Sequence, residues 1–325
     1  MDHRFEKTES SGVDVVLPFF NADSHIHCSI RSILSQKLPA TKKLRLIVVD
    51  DGSTEGGNIL ESTGDARITI IRHDINKGRA AARNTGAKEG RGEVILFLDS
   101  DCVLESDLIL SSHLSVLEEY DMSVGRVNAH VAGFWGRYQN ELSTRRLARL
   151  EKSMDIEAFT AQNFAIKRSA FRAIDGFDER YVSYGFEDRD FFVRARAKGL
   201  KIGLARSSVA YHEADLSLAS VCAKMKKAGQ CTSTLFMASH PDCYARMDYA
   251  KVDVRLHARL FKLSVHASWW LLGPCVRMAD QMLHMEIIPF RLRAGCVRAF
   301  TAMAFAYGTA LACGKDRQRK NDMPA

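Results

Sequence analysis

The chain has no C-x-x-C pair: its eight cysteines lie scattered through 325 residues. Neither a zinc site nor a disulfide framework is built that way, so reduced, mostly buried thiols are the simple reading. No G-x-G-x-x-G follows the first apolar run, which sets aside a dinucleotide oxidoreductase. No serine- or cysteine-centred triad is visible either. The first twelve residues are polar and lack the apolar core of a signal peptide, so the expectation is a catalytic part that stays in the cytoplasm. Internal repeats and low-complexity segments are absent. With 46% hydrophobic and 26% charged residues, the composition is that of a folding chain, long enough for one large domain plus an appendage.

Acid excess is missing too. The formal net charge is +7, and all of it falls after residue 250: residues 251–325 carry 12 Lys/Arg against 5 Asp/Glu, while the first 250 balance at 34 of each. A neutral body with a basic tail argues against nucleic acid along the main fold. It favours an anionic surface met by the C-terminal part.

What is present is a series of apolar runs that end in acids or glycines. Residues 13–17 form a β-branched run that Pro18 is expected to end. Asp23 is placed to cap a helix with Ile26, Ile30, Ile33 and Leu34 on its apolar face. A second strand at 44–49 stops at Asp50-Asp51-Gly52-Ser53, and a third covers 67–71. Residues 78–90 are Ala-rich and helical. Residues 94–98 form a continuous apolar run that closes on Asp99-Ser100-Asp101. A helix marked by Leu110, Leu114 and Leu117 follows, then a weakly patterned region at 121–159 with a charged surface helix. Residues 163–166, a helix from Glu187 to a Gly199 cap, and two short strands at 201–204 and 208–211 complete the body. This β-α-β-α repetition predicts an α/β fold, with a mostly parallel sheet covered by helices on both faces.

The run at 94–98 is the most informative stretch. Open α/β sheets bind ligands beyond the carboxyl ends of their strands. Two carboxylates emerging there repel unless something positive sits between them. A hard divalent cation with oxygen ligands, its open positions taken by phosphates, answers that need.

Together the motifs resemble the inverting family 2 glycosyltransferases of the GT-A fold. They are Leu17-Pro18-Phe19-Phe20-Asn21, Val49-Asp50-Asp51-Gly52-Ser53-Thr54, Asn76-Lys77-Gly78 with Ala82-Arg83-Asn84, Leu98-Asp99-Ser100-Asp101, and Phe186-Glu187-Asp188. The resemblance covers about residues 13–219. It implies a nucleotide-sugar site formed by Pro18, Asn21, Asp51, Arg83, Asp99 and Ser100, with Asp51 reading a uracil or guanine edge and Asp99 on the ribose or a metal-bound water. It further implies Asp101 as direct ligand of Mn²⁺ or Mg²⁺, with His212 completing that metal site. Asp188 becomes the general base that takes the acceptor hydroxyl's proton, since a single displacement needs no enzyme nucleophile. Asn163 and Glu187 fall on the acceptor side, and Asp190 is read as a helix cap. Two departures stand out. Phe20 occupies a position where many relatives carry a tyrosine, and Ala161-Gln162 precede Asn163 where a glycine is common. Gln230-Cys231-Thr232-Ser233-Thr234 does not match the Gln-x-x-Arg-Trp of processive members, which points to transfer of single sugars.

The bland reading of each residue stands beside this one. Asp50 and Asp51 can shape a turn with Gly52, Arg83 can be a surface cation, and Asp188 can favour a helix N-terminus. Two other function classes compete: a nucleotidyltransferase on a similar sheet, and a degenerate, non-catalytic binding module. The former lacks its Gly-rich basic loop after the first strand. The expected division is a catalytic domain at 1–219 and a helical, basic region at 220–325. In the latter, residues 263–276 and 299–314 are uncharged over 14 and 16 positions, short of the ~20 needed to span a bilayer. With Trp269-Trp270 and flanking Arg291, Arg293, Arg298, Lys315, Arg317, Arg319 and Lys320, they suit helices lying in an anionic membrane interface. The expected partners are a nucleotide-sugar donor, a saccharide or lipid-linked saccharide acceptor and an anionic membrane surface at the inner face of the plasma membrane, without nucleic acid.

Overall fold

The structure is a computed structural model that describes residues 10–21, 25–54, 64–213, 216–257 and 259–321. The Asp23 cap lies outside these residues, as do the side chains of Lys315, Arg317, Arg319 and Lys320.

The chain divides into two compact units. The first comprises the described residues of Met1–Val131, Gln139–Val182 and Asp188–Ala214; the second those of Ala132–Tyr138, Ser183–Glu187 and Asp215–Ala325. The division is therefore not a single cut of the chain: two short segments from within the body belong to the second unit.

The first unit is built on β1 (Ser10–Phe19), α1 (Ile26–Leu34), β2 (Lys43–Asp50), β3 (Ile68–Arg72), α2 (Arg79–Glu89), β4 (Gly92–Leu98), β5 (Cys102–Leu104) and α3 (Ile109–Glu119). It continues with β6 (Met122–Ala129), most of α4 (Gly133–Ser153), β7 (Asn163–Lys167), α5 (Arg168–Ile174), α6 (Glu187–Ala197) and β8 (Ile202–His212). The eight strands form one sheet in the order β3-β2-β1-β4-β7-β6-β8-β5. Strands β1 to β4 are parallel, β7 runs against β4 and β6, β8 is parallel to β6, and β5 is antiparallel to β8. It follows that the C-terminal ends of β1, β2, β4, β6 and β8 and the N-terminal ends of β5 and β7 share one edge of the sheet. The expected α/β class with flanking helices is what forms.

Three expectations about elements change. Strand β1 does not stop at Pro18 but continues to Phe19, because β1 pairs with β4 only as far as Val16, and beyond it only β2 asks for backbone donors. The two strands expected after Gly199 are one, β8, whose exposed Arg206-Ser207 pair lies beside a register shift on β6 between Val124 and Arg126. That bulge lets two polar residues interrupt the pattern without ending the strand. Region 121–159 holds β6 as well as the helix; β6 reads poorly because much of it is only half-buried.

Both faces of the sheet are apolar. One carries Val16, Ile95, Phe97, Phe164, Phe171, Phe177, Phe191 and Phe192, the other Val13, Val15, Leu17, Leu46, Val48, Leu96 and Leu98 with α1 and α3 residues. At the far edge from the strand ends, Asp14 in mid-β1 is fully buried and takes Arg168 Nη2 at 2.6 Å and the Gly92 amide at 2.6 Å. The guanidinium also donates to the Gly92 carbonyl at 2.5 Å, tying the start of α5 to β4. With Arg45 Nε 3.1 Å from the other carboxylate oxygen, two cations face this buried carboxylate; unpaired, either member of the Asp14–Arg168 pair costs several kcal/mol, about 3–5.

The second unit contains the start of α4 and the helices α7 (Leu218–Gln230), α8 (Thr232–Ser239), α9 (Pro241–Arg246), α10 (Asp248–Val252), α11 (Arg259–Leu272), α12 (Val276–Leu283) and α13 (Phe290–Asn321). Ser217 and Ser220 close a capping box on α7. Its long packing with α13 requires Gly308, where a Cβ would collide with the Lys226 carbonyl. The segment Phe290–Cys313 is long and apolar enough by length and composition to cross a membrane, longer than the uncharged stretch at 299–314 suggests, and 44% of its most apolar window is buried within the structure. Ala304, Phe305, Ala306, Thr309 and Ala310 are among those buried positions. One face of residues 299–313 thus packs within the helical unit, while Ala299 is exposed and Phe300, Ala302, Met303, Tyr307 and Leu311 are half-buried.

Candidate active site

The shared sheet edge collects most of the acids the sequence singles out. Strand β2 ends in Asp50, and Asp51 follows it, buried. Asp50 Oδ1 accepts the Ser53 amide at 2.8 Å and shapes the turn. Asp51 reaches further: Oδ1 accepts the Lys77 amide at 2.9 Å and Oδ2 the Gly78 amide at 2.8 Å. His73 Nδ1 lies 2.7 Å from Oδ1, and since a carboxylate only accepts, that nitrogen carries the proton. Thr85 Oγ1 holds the other ring nitrogen at 2.9 Å. Three of about four lone-pair positions on Asp51 are thus used, leaving room on Oδ2 for one more donor. Gly78 has φ +91° and a Cβ there would stand 2.5 Å from the Val182 carbonyl, so only glycine lets this loop close on Asp51.

Asn21, at φ +58°, tolerates a left-handed backbone and laces the β1 end to the β2 loop. Its amide donates to Ser53 Oγ at 2.7 Å and its Oδ1 accepts the Thr54 amide at 3.1 Å. Pro18 is buried opposite Val49. Both are wall residues of the edge.

Strand β4 delivers Asp99, Ser100 and Asp101. Asp99 is buried, its amide donates to the Gln162 carbonyl at 3.2 Å, and its Oδ1 accepts Arg83 Nη2 at 2.9 Å. Arg79 Nη1 stands 3.7 Å from Oδ2. Arg83 is not the surface cation of the bland reading: it is buried, and its guanidinium lies 5.3 Å over the Phe177 ring. Asn84 accepts the Phe177 amide at 2.9 Å and donates to the Phe177 carbonyl at 2.8 Å, so α2 grips the loop after α5. Ser100 contributes its carbonyl to Ser29 Oγ at 2.8 Å, which fixes the turn to α1.

Asp101 and His212 are brought together. The antiparallel pairing of Cys102 with His212 sets Asp101 Oδ2 3.1 Å from His212 Nε2, and the Glu213 amide donates to the Asp101 carbonyl at 2.9 Å. Gln139 Nε2 lies 3.4 Å from the other imidazole nitrogen. The neighbouring Cys102 thiol is pushed well up by burial and by Asp101 and Asp99.

Asp188 sits in the first turn of α6, partly exposed, with Oδ1 accepting the Arg189 amide at 2.8 Å. Phe191, one turn on, stacks on Phe177 at 4.3 Å, the ring that Arg83 covers. The helix that carries Asp188 is thus anchored to the side chain that holds Asp99. Asp190, expected to cap, is buried and takes Arg194 Nε at 2.8 Å. Glu187, buried, belongs to the second unit together with Phe186. Phe186 has φ +69° and is held within that unit by Phe236, Tyr249, Tyr244 and Phe305, with centroids 5.2–6.3 Å away. A bulky residue at positive φ is a costly conformation, of about 1–3 kcal/mol, and persists only where packing dictates it.

Asn163 does not join the site. It is sealed in a network with His113, Ser123 and Ser208: His113 Nε2 lies 3.0 Å from Asn163 Oδ1 and 2.7 Å from Ser208 Oγ, and His113 Nδ1 2.9 Å from Ser123 Oγ. Burial pushes the His113 imidazole down to about 4, keeping it neutral. Its acceptor-side assignment is corrected accordingly; a residue that joins β7 to α3, β6 and β8 has no face left for a ligand. Conversely, Arg79, His73 and Gln139 were missed. Arg79 was findable, standing one helical turn before Arg83; His73 and Gln139 carry no local signal, since their partners lie 22 and 73 residues away.

Residues 14–175 match the family model described as glycosyl transferase family 2. A Bacillus subtilis protein named uncharacterized glycosyltransferase YfnE is 25% identical over 61% of this chain and 64% of its own length. Escherichia coli WfaP, named a UDP-Glc:α-D-GlcNAc-diphosphoundecaprenol β-1,3-glucosyltransferase, is 36% identical over 27% of this chain and 35% of its own. The chain spans less than two thirds of the curated relatives it matches first, 64%, 38% and 16% of their lengths. Among solved structures, the mannosyltransferase PcManGT of Pyrobaculum calidifontis, described in complex with GDP-Man and Mn²⁺, superposes with a TM-score of 0.57 at 17% identity. That match covers 92% of this chain and 88% of the other. With the motif order, the sheet edge and the family match in agreement, the chain belongs to glycosyltransferase family 2.

Proposed function

We propose that the protein is a metal-dependent, inverting glycosyltransferase that moves one sugar from a UDP- or GDP-linked donor to an acceptor hydroxyl, with the chemistry in the first unit. The observation that carries this is the Asp101–His212 pair, 3.1 Å apart, beside an Asp99 held by a buried arginine.

The donor set fits a hard divalent ion. One carboxylate oxygen and one imidazole nitrogen suit Mn²⁺ or Mg²⁺, and no thiolate competes. Among the described residues no group of three or more His, Cys, Asp or Glu is placed to hold a metal, so the remaining ligands are diphosphate oxygens and water. A bound ion would offset the charge that gathers on the departing nucleoside diphosphate.

The residues divide the rest of the work. Asp51 accepts an N–H from the base through its remaining Oδ2 position. Asp99, oriented by Arg83, accepts a ribose hydroxyl, and Arg79 faces the phosphates as a partly exposed cation. Asp188 takes the proton of the acceptor hydroxyl as that oxygen attacks the anomeric carbon. The name of WfaP supports a lipid-linked saccharide as acceptor, and the basic helical unit supports action at the cytoplasmic face of a membrane.

Isothermal titration with UDP- and GDP-sugars, with and without Mn²⁺, tests the reading. Metal-dependent binding of one class is expected; no binding of any nucleotide sugar with metal present overturns it. Release of nucleoside diphosphate, not pyrophosphate, separates sugar transfer from nucleotidyl transfer.

A further inference from the structure

The second unit exposes an unusual amount of apolar side chain in one short segment. Between the end of α11 and the start of α13, Trp270 is 78% exposed, Ile287 87% and Leu292 65%, and Leu271, Met278, Met282 and Met285 are also exposed. The pattern is not that of a poorly packed region. Helix α12 turns Val276, Ala279 and Leu283 into the core while Met278 and Met282, one turn apart, face outward. Trp269 stacks on Tyr307 at 5.3 Å, and its neighbour Trp270 points away. The inner face of the segment is spent; the outer face is apolar and unpartnered.

The exposed charges around that face are three arginines and a single acid. Arg277, Arg291 and Arg298 are exposed, with Arg291 and Arg298 two turns apart on the same side of α13. Asp280 is turned inward, where its Oδ1 accepts the Leu218 amide at 2.8 Å, and Glu286 is the one exposed acid among residues 264–298. Exposed tryptophan, long flexible methionines and flanking arginines match a headgroup boundary, where an amphipathic ring sits at the interface and guanidinium groups meet phosphates.

We propose that Trp270, Met278, Met282, Met285, Ile287 and Leu292, rimmed by Arg277, Arg291 and Arg298, form the surface by which the protein docks on an anionic phospholipid bilayer. The contact is peripheral: the turns at 284–289, the end of α11 and the start of α13 enter the interface, while the buried residues of α13 beyond 300 stay packed within the unit. This deepens the membrane placement proposed above and moves it away from residues 299–314. It needs no sugar transfer, so its failure leaves the catalytic assignment standing, and the reverse holds as well.

The test is co-sedimentation of the full chain with phosphatidylcholine vesicles containing or lacking 30% phosphatidylglycerol, at low and high salt. Binding to the anionic vesicles that weakens with salt is expected, together with a loss of at least about tenfold per residue in Trp270→Ser and Ile287→Ser. Both substitutions are at the surface, so the thermal midpoint should hold. A vesicle-induced blue shift in tryptophan emission should vanish in Trp270→Phe, because Trp135 is buried and Trp269 is stacked on Tyr307. Equal binding by wild type and variants, or no binding to either vesicle, overturns the proposal. So does self-association in sedimentation velocity that the variants abolish, which would make this face a contact between copies of the chain.

Discussion

Acid should destabilise this protein through one histidine in particular. His113 is fully buried between α3 and the β6–β7–β8 part of the sheet, and burial holds its imidazole down to about 4. In the unfolded chain the same group titrates near about 6.5. Because the folded value is the lower one, the unfolded state takes up the proton first as pH falls. The contribution to stability is therefore complete above about 6.5 and is lost progressively down to about 4. Between pH 7 and pH 4.5 the loss from this group alone is about 2 kcal/mol. His113→Gln keeps a donor and an acceptor near Ser123 and Asn163 but cannot titrate. It should cost about 1–3 kcal/mol at pH 7, because the network is no longer satisfied in full, and it should flatten the pH dependence. Urea unfolding at pH 7.0, 6.0, 5.0 and 4.5 measures both. Carboxylates titrating over the same range cancel in the comparison between the two proteins. If the drop in stability from pH 7 to 4.5 is the same in wild type and His113→Gln, the buried-neutral account of His113 is wrong.

Other substitutions read the site directly. Asp188→Asn should lower turnover by about 10²–10⁴-fold while donor affinity and thermal midpoint stay put; unchanged turnover would remove the base assignment. Asp101→Asn and His212→Ala should each weaken Mn²⁺-dependent donor binding by about tenfold or more, measured by titration with UDP and GDP, whereas Cys102→Ser should not. Phe186→Ala should destabilise by about 3–5 kcal/mol, and Phe186→Gly should recover about 1 kcal/mol of that, since glycine accepts φ +69° freely. Should Gly prove no better than Ala in thermal unfolding, the backbone at 186 is not strained.

The order of strands and helices was legible wherever burial is two-sided. Residues 44–49 and 94–98 are continuous apolar runs because β2 and β4 are covered on both faces. Legibility fails where a strand is only half covered. The Arg206-Ser207 pair splits β8 in the sequence but only marks a bulge in the sheet, and β6 hides its strand character behind polar, half-buried positions. Helical segments of the second unit were recognised, yet which apolar faces are spent was not. Residues 299–314 read like an interfacial helix, but Ala304 to Ala306, Thr309 and Ala310 on one of its faces are buried within the unit, while the scattered methionines at 278, 282 and 285 form no run and are left exposed.

At the site, local sequence located acids and could not distinguish their duties. Asp50, Asp51, Asp99 and Asp101 all follow apolar runs and look alike in one dimension. What separates them is a partner far along the chain: Ser53 for Asp50, but Lys77, Gly78 and His73 for Asp51, Arg83 for Asp99 and His212 for Asp101. The same distance effect misplaced Asn163, whose polarity at the start of β7 looks like a site residue until His113 and Ser208 are seen to consume it. The difference has a chemical consequence. Asp51 is held by three donors the protein already supplies and Asp99 by Arg83 at Oδ1, with no hydrogen bond to its buried Oδ2 among the described residues, so both are oriented acceptors suited to reading an N–H or a hydroxyl. Asp101 instead faces an imidazole 3.1 Å away, a group that can turn from partner to fellow ligand when a cation arrives. Orientation by fixed partners therefore argues for base and ribose recognition at Asp51 and Asp99. An exchangeable partner argues for metal at Asp101.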